Sequence, residues 1–217
     1  SVYSLVIASA IFPIYYQGLF KMANVETVLV FGGNIRSTPL ISYTTAAAFL
    51  LVAISSPFLS GVADYVGNKK NFMKFFCYLG AFSCMGLYFF SIDHILISLT
   101  FYFFGLIGYW GSLVFYNSYL PDVAFPEQQD KISGRGYSLG YIGSVILLLF
   151  NLGMVMKPEL FGLGVGEDAS MTAMKWSVVT VGSGWVRVSQ DSFSFFPKMG
   201  RASGREGGWA GWGGGAF

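Results

Sequence analysis

Charged residues are absent from five stretches of the chain: Ser1 to Phe20, Ser37 to Ala63, Phe75 to Ile92, Ile95 to Pro121 and Gly136 to Met156, each between 18 and 27 residues long. A hydrocarbon layer about 30 Å thick is crossed by roughly 20 helical residues, so each stretch predicts a membrane-spanning helix. Barrel strands would instead alternate polar and apolar residues over about 10 positions. Helices also satisfy every backbone polar group internally where no water is present. A sixth span is predicted from Trp176, in WSVVTVGSGWVRVSQDSFSFFP, but Arg187 and Asp191 interrupt it. An ionisable residue at the bilayer centre costs about 2.5–3.5 kcal/mol on insertion scales, so this span needs packing partners. The expected architecture is an all-α integral membrane bundle over residues 1–197. Its spans lie near 1–20, 40–62, 72–92, 95–120, 136–156 and 176–196, five clear and the sixth degraded. Residues 198–217 form a Gly/Trp-rich tail without hydrophobic period, expected to be disordered or artefactual, as at a degenerate gene end.

Composition narrows the class. The 217 residues are 54% hydrophobic, 18% aromatic and only 11% charged, with mean hydropathy +0.58. A soluble domain carries about 25% charged residues, so the composition argues against a soluble enzyme of this size. A disordered chain is excluded by the same numbers, because it would be poor in aromatics and rich in charge. A net charge of +2 is too small for a nucleic-acid footprint. The first residue is Ser1, inside an apolar run with no basic segment before it. A signal peptide is therefore not expected, and the N-terminus is expected to continue upstream. Cys77 and Cys84 fall on one span seven residues apart. That places their backbones about 10.5 Å apart along a helix, beyond the roughly 7 Å reach of a disulfide, and both read as packing residues.

Lys69, Lys70 and Lys74 follow span two, and Lys131 and Arg135 follow span four. Basic residues at span ends set orientation, so the loops at 64–74 and 121–135 are expected in the cytoplasm, together with the N-terminus. Two triplets of spans hint at the inverted three-helix repeats of secondary transporters. Gly136, Gly140 and Ser144, and likewise Gly108 and Ser112, recur every four residues. Small residues at that spacing let helix backbones approach closely in lipid, either for packing alone or to let helices slide past one another.

Between spans two and three stands Ser60-Gly61-Val62-Ala63-Asp64-Tyr65-Val66-Gly67-Asn68-Lys69-Lys70. It resembles the loop signature of the major facilitator superfamily, with Asp64, Gly67, Lys69 and Lys70 matching, Ser60 in place of the usual first Gly and Tyr65 in place of a basic residue. The resemblance implies a cytoplasmic latch that stabilises the outward-facing state, with the lysines held to the anionic leaflet. Three longer stretches, SLVIASAIFPIYY, SPFLSGVADYVGNKKNFMKFFCYLGAFSC and GYWGSLVFYNSYLPDVAFPEQQDKISGRGYSLGYIGS, resemble the vacuole-effluxer-like branch of that superfamily, including its bacterial members. The resemblance is good over roughly residues 1–160 and poor over 171–197. It implies a major-facilitator-type transporter of which this chain is the N-terminal half, residing in a bacterial cytoplasmic membrane. The fungal members export amino acids from the vacuole.

Polar residues within the spans are the candidate solute pathway: Tyr16 and Gln17 in span one, Tyr116 and Asn117 at the end of span four, and Asn151 in span five. An amide is costly to bury in lipid without a partner, so Asn117 and Asn151 are expected to face the bundle interior. An interhelical hydrogen bond is the simpler role for each. Arg135 joins the gating set as a partner for Asp64 or Asp122. No carboxylate lies mid-span in spans one to five, where a proton relay would sit.

Other motifs carry no chemistry. Gly136-Tyr137-Ser138-Leu139-Gly140 matches a hydrolase nucleophile pattern but lies in an apolar helical run without a histidine. Gly162, Gly164 and Gly166 have no strand before them and no Gly-Lys-Ser/Thr after them. One His and two Cys do not make a zinc site of the usual kind, and His94 reads as a solvated loop residue. No cofactor, metal or catalytic residue is expected, and the chain is not expected to be an enzyme. In the sixth span Val181, Gly182, Trp185, Gln190, Phe193 and Pro197 keep the family's register, while Gly184, Arg187, Val188 and Asp191 break it. The expected function is secondary transport of a small solute by alternating access. Its partners would be the bilayer, that solute and the C-terminal half of the transporter, and the 217 residues alone should not transport. The alternative is a non-transporting membrane scaffold or a degenerate half-transporter.

Overall fold

The computed structural model describes residues 11–30, 33–66, 69–118, 120 and 125–195. Six helices carry the architecture: α1 Phe12–Met22, α2 Ser37–Val66, α3 Lys69–Gly86, α4 Ile95–Ser118, α5 Pro126–Met156 and α6 Glu167–Phe195. An antiparallel hairpin of β1 Thr27–Val30 and β2 Gly33–Arg36 joins α1 to α2, pairing Thr27 with Arg36. Among the described residues four helices are long and apolar enough to cross a membrane: Ser37–Val62, Lys69–Phe89, Ile95–Ser118 and Pro126–Met156. The protein is an all-α, multi-pass integral membrane protein.

The helices start and bend for local reasons. Pro126 opens α5, where its missing N–H costs nothing, and Glu127 in the first turn complements the helix dipole. Pro57 lies inside α2 and cannot donate to the carbonyl of Ala53 one turn back. The hydroxyl of Ser56 donates to that carbonyl at 3.5 Å, and Ser55 donates to Leu51 O at 2.6 Å. Ser/Thr side chains re-satisfying the backbone is how transmembrane helices tolerate proline.

Packing is centred on α4 and α3. Of the α4 span 61% is buried and of the α2 span only 6%, so α4 lies inside the bundle and α2 on its surface. The outer faces of α2 (Leu50, Ile54, Phe58) and α5 (Ile142, Ile146, Leu149) are apolar and exposed, a distribution that suits lipid and not water. Where α3 crosses α4, Gly108 lies against the backbone of Gly80, with Phe76 O 2.8 Å from where a Cβ would stand. The small residues that the sequence singled out at Gly108 and Ser112 are thus at a close helix crossing. At the start of α1, Phe12 stacks on Tyr102 at 4.6 Å and meets Phe90 edge-on at 5.5 Å.

Three sequence expectations are corrected by these boundaries. The stretch 64–74 is not a loop, because α2 runs through Val66 and α3 starts at Lys69. Phe72, Met73 and Phe76 hold that first part of α3 in the core, Phe72 stacking on Phe115 at 5.5 Å. Residues 126–135 of the second expected loop belong to α5, so Lys131 and Arg135 stand on a helix. The sixth helix starts at Glu167, ahead of the expected 176, with Glu167 and Asp168 in its first turn, where the dipole favours them. The first ten residues of span one and the 198–217 tail lie outside the described residues.

The sixth helix is continuous despite its composition. Ala169, Ala173, Ser177, Val181, Trp185, Ser189 and Phe193 recur every four residues and all are buried. Trp185 seats its ring over Gly80, and Gly182 lies against Met85 and the carbonyl of Ala81. Gln190 donates to the hydroxyl of Tyr78 at 2.7 Å. The residues that break the family register point elsewhere: Gly184 has open space around it, and Arg187 and Val188 are exposed. Pro197 lies outside the described residues, as does the side chain of Asp191. The two sequence classes therefore sort onto two faces of one helix.

Candidate functional site

The residues singled out for gating and transport do not form one cavity. They fall into groups near the two ends of the bundle. At one end, the signature segment meets the C-terminus of α4. Lys69 lies in the first turn of α3, where a cation opposes the helix dipole. Its Nζ reaches across to donate to Ser118 O, in the last turn of α4, at 3.4 Å. A lysine on the final carbonyls of a helix is favourable for the same electrostatic reason. Lys70 sits beside it, half-buried. Gly67 lies outside the described residues, as does the side chain of Asp64.

Tyr116 and Asn117 belong to this same end. The Tyr137 hydroxyl of α5 donates to Asn117 Oδ1 at 3.1 Å. One residue earlier on α5, a Cβ at Gly136 would stand 2.7 Å from the Tyr116 hydroxyl, which brings Tyr116 against the same stretch of α5. Asn117 is exposed, which corrects the expectation that it faces the interior. It stands in the last turn of α4, where water and headgroups can solvate an amide that mid-span lipid would not. Arg135 is exposed on α5, two residues from Tyr137, and its suggested partner Asp122 lies outside the described residues.

The second group lies towards the opposite end. Tyr16 is buried, and its hydroxyl donates to Ser37 O at 2.9 Å, tying α1 to the start of α2. Gln17, the next residue, is exposed. Asn151 is fully buried on α5 and accepts from the Thr180 hydroxyl of α6 at 2.9 Å. Its Nδ2 has no partner among the described residues. Ser170 of α6 donates to Val155 O at 3.1 Å and Met171 meets Gly18, while Val181, next to Thr180, packs with Ile11, Leu147 and Leu148, which sets Asn151 about one turn deeper than Tyr15 and Tyr16. Phe12 stacks on Tyr102, Tyr16 is one turn beyond it, and Asn117 is 15 residues from Tyr102 along α4. At 1.5 Å per residue Tyr16 is about 28 Å from Asn117 along the bundle, nearly the depth of a hydrocarbon layer, and Asn151, 14 residues beyond Tyr137 on α5, is about 21 Å from it.

The hairpin was not anticipated, although the β-prone run Thr27-Val28-Leu29-Val30-Phe31, followed by Gly32-Gly33, carries the usual signal. Neither was the Thr180 contact, which depends on how α5 and α6 are juxtaposed. Among the described residues no group of three His, Cys, Asp or Glu side chains is placed to hold a metal ion. Cys77 and Cys84 are free and buried. His94 is exposed in the short connection before α4.

A family model described as vacuole effluxer Atg22 like matches residues 21–206, which includes all of α6. An uncharacterized MFS-type transporter, YxiO of Bacillus subtilis, is 32% identical over 187 residues, covering 83% of this chain and 42% of that protein. Autophagy-related protein 22-2 of Penicillium rubens is 32% identical over 94 residues, covering 43% of this chain and 16% of that protein. The chain thus spans less than half the length of these curated relatives. No solved structure matches it.

Proposed function

The chain belongs to the vacuole effluxer Atg22 like family, and we propose from that premise that it forms the N-terminal membrane bundle of a secondary transporter. The complete protein moves a small solute by alternating access, with amino acids as the proposed class, in a bacterial cytoplasmic membrane. The observation that carries this reading is the division of the intramembrane polar residues. One group surrounds the signature lysines at the C-terminus of α4; the other, Tyr16 and Gln17 at the α1–α2 corner and Asn151 deeper on α5, lies about 21–28 Å away by helical rise. A carrier must close one end while the other is open, and contacts such as Lys69 to Ser118 O and Tyr137 to Asn117 join different helices at one end. They are the proposed latch, with Asp64, Gly67, Lys70 and Arg135 as its further members and that end in the cytoplasm. Tyr16, Gln17, Tyr116, Asn117 and Asn151 are the proposed solute-pathway residues.

The test is flux of radiolabelled amino acids into proteoliposomes holding the full-length protein. Solute-dependent counterflow, slowed in Lys69→Ala with the fold retained, is the expected result. No counterflow and no solute-dependent thermal stabilisation across the amino acids would overturn the transport reading in favour of a membrane scaffold.

A further inference from the structure

A second feature stands at the end of the bundle opposite the latch. The end of α1, the turn after it, Arg36 at the end of β2 and the start of α2 line an open cavity of about 590 Å³, within the size range of small-molecule sites. We propose that this cavity is a binding site for an anionic group, a carboxylate or a phosphate.

Its walls are fixed by the backbone. Tyr16 ties α1 to Ser37 O, and Ser37 N donates to Glu26 O at 3.0 Å. Asn24 turns the chain out of α1 with φ 54°, and Val25 N returns to Phe20 O at 3.1 Å. Lys21 from α1 and Arg36 from β2 bring two cations to the lining. Neither makes an ion pair among the described residues.

The start of α2 adds a third contribution. A helix leaves its first N–H groups without intrahelical partners and carries a partial positive charge there. The Ser37 N–H is taken by Glu26 O, and Pro39 has none to give. The N–H of Thr38, which lines the cavity, remains for a ligand, as at other helix N-termini that hold phosphate or carboxylate. The Gln17 and Asn24 amides are additional donors on the same lining. Glu26 is the only carboxylate there among the described residues, so two cations and a helix N-terminus outweigh one anion.

The same chemistry is offered by a dissolved anion and by a lipid headgroup, and the experiment separates them. The full-length protein is placed in phosphatidylcholine nanodiscs, and its unfolding temperature is followed as inorganic phosphate replaces chloride at constant ionic strength. The measurement is repeated in discs containing phosphatidylglycerol. A phosphate-dependent rise that disappears in Lys21→Gln/Arg36→Gln and grows in Glu26→Gln supports a site for a soluble anion. A rise found only with phosphatidylglycerol, and lost in the same double variant, supports a headgroup site. No rise with either anion, or an equal rise in wild type and double variant, overturns the proposal. The three side chains are exposed, so these substitutions leave the core intact, and none is in the latch.

Discussion

Gly108→Ala is the sharpest perturbation of the bundle. A Cβ at this position would collide with the N and Cα atoms of Gly80 and stand 2.8 Å from Phe76 O. All three are backbone atoms of α3, so no side-chain rotation relieves the contact, and α3 and α4 must part. Ordinary van der Waals contact begins near 3.4 Å. A separation of about 0.5–1 Å forfeits a quarter to a half of the dispersion energy of each atom pair across the seam. Overpacking of this kind costs about 1–3 kcal/mol, against which the better helix propensity of Ala returns up to about 1 kcal/mol. A net loss of about 1–2 kcal/mol is expected, or a drop of about 2–8 °C in unfolding temperature for a chain of this size. Gly153→Ala is the control, because nothing lies within 4 Å of its Cβ position and only the propensity gain applies. Cys77 and Cys84 are free and buried, so a thiol-reactive fluorophore in detergent reports unfolding directly. An unchanged or raised temperature for Gly108→Ala, or an equal drop for Gly153→Ala, would refute the close α3–α4 crossing.

Thr180→Val leaves Asn151 Oδ1 unpaired and is expected to destabilise by about 1–2 kcal/mol. A double-mutant cycle with Asn151→Leu should return a coupling of about 0.6 kcal/mol or more, and zero coupling would refute the hydrogen bond. Trp185→Ala empties the space above Gly80 and is expected to cost about 3–5 kcal/mol, read by the same dye assay. Arg187 is exposed, so Arg187→Leu should leave bundle packing unchanged. It should improve translocon insertion of the isolated α6 segment by about 3 kcal/mol, measured by glycosylation mapping.

That the chain is built from helices of membrane length was legible because charge-free length is a direct requirement of the bilayer, and among the described residues four helices meet that requirement. Their ends were less so. Polar residues such as Gln128, Gln129 and Lys131 interrupt hydropathy without interrupting the helix, and the Lys69–Lys74 segment reads as a loop by charge but is helical with its apolar residues packed. The sixth helix shows the same limit in reverse. Arg187 and Gly184 lower its mean hydropathy, yet they sit away from the buried row from Ala169 to Phe193, and packing depends on a face, not on an average. The candidate polar residues could be picked from sequence by type. Their grouping could not, because Tyr137 to Asn117 and Thr180 to Asn151 join residues 20 and 29 positions apart through helix pairings that only the fold sets.

The central claim, that the polar residues divide between opposite faces of one membrane-spanning bundle, is tested most directly by cysteine labelling in intact cells. With Cys77 and Cys84 replaced by Ala, single cysteines are placed at Arg135 and at His94 of the full-length protein and treated with a membrane-impermeant maleimide. A bundle divided in this way is labelled at His94→Cys from outside and at Arg135→Cys only after permeabilisation. Labelling of both positions from the same side would contradict it.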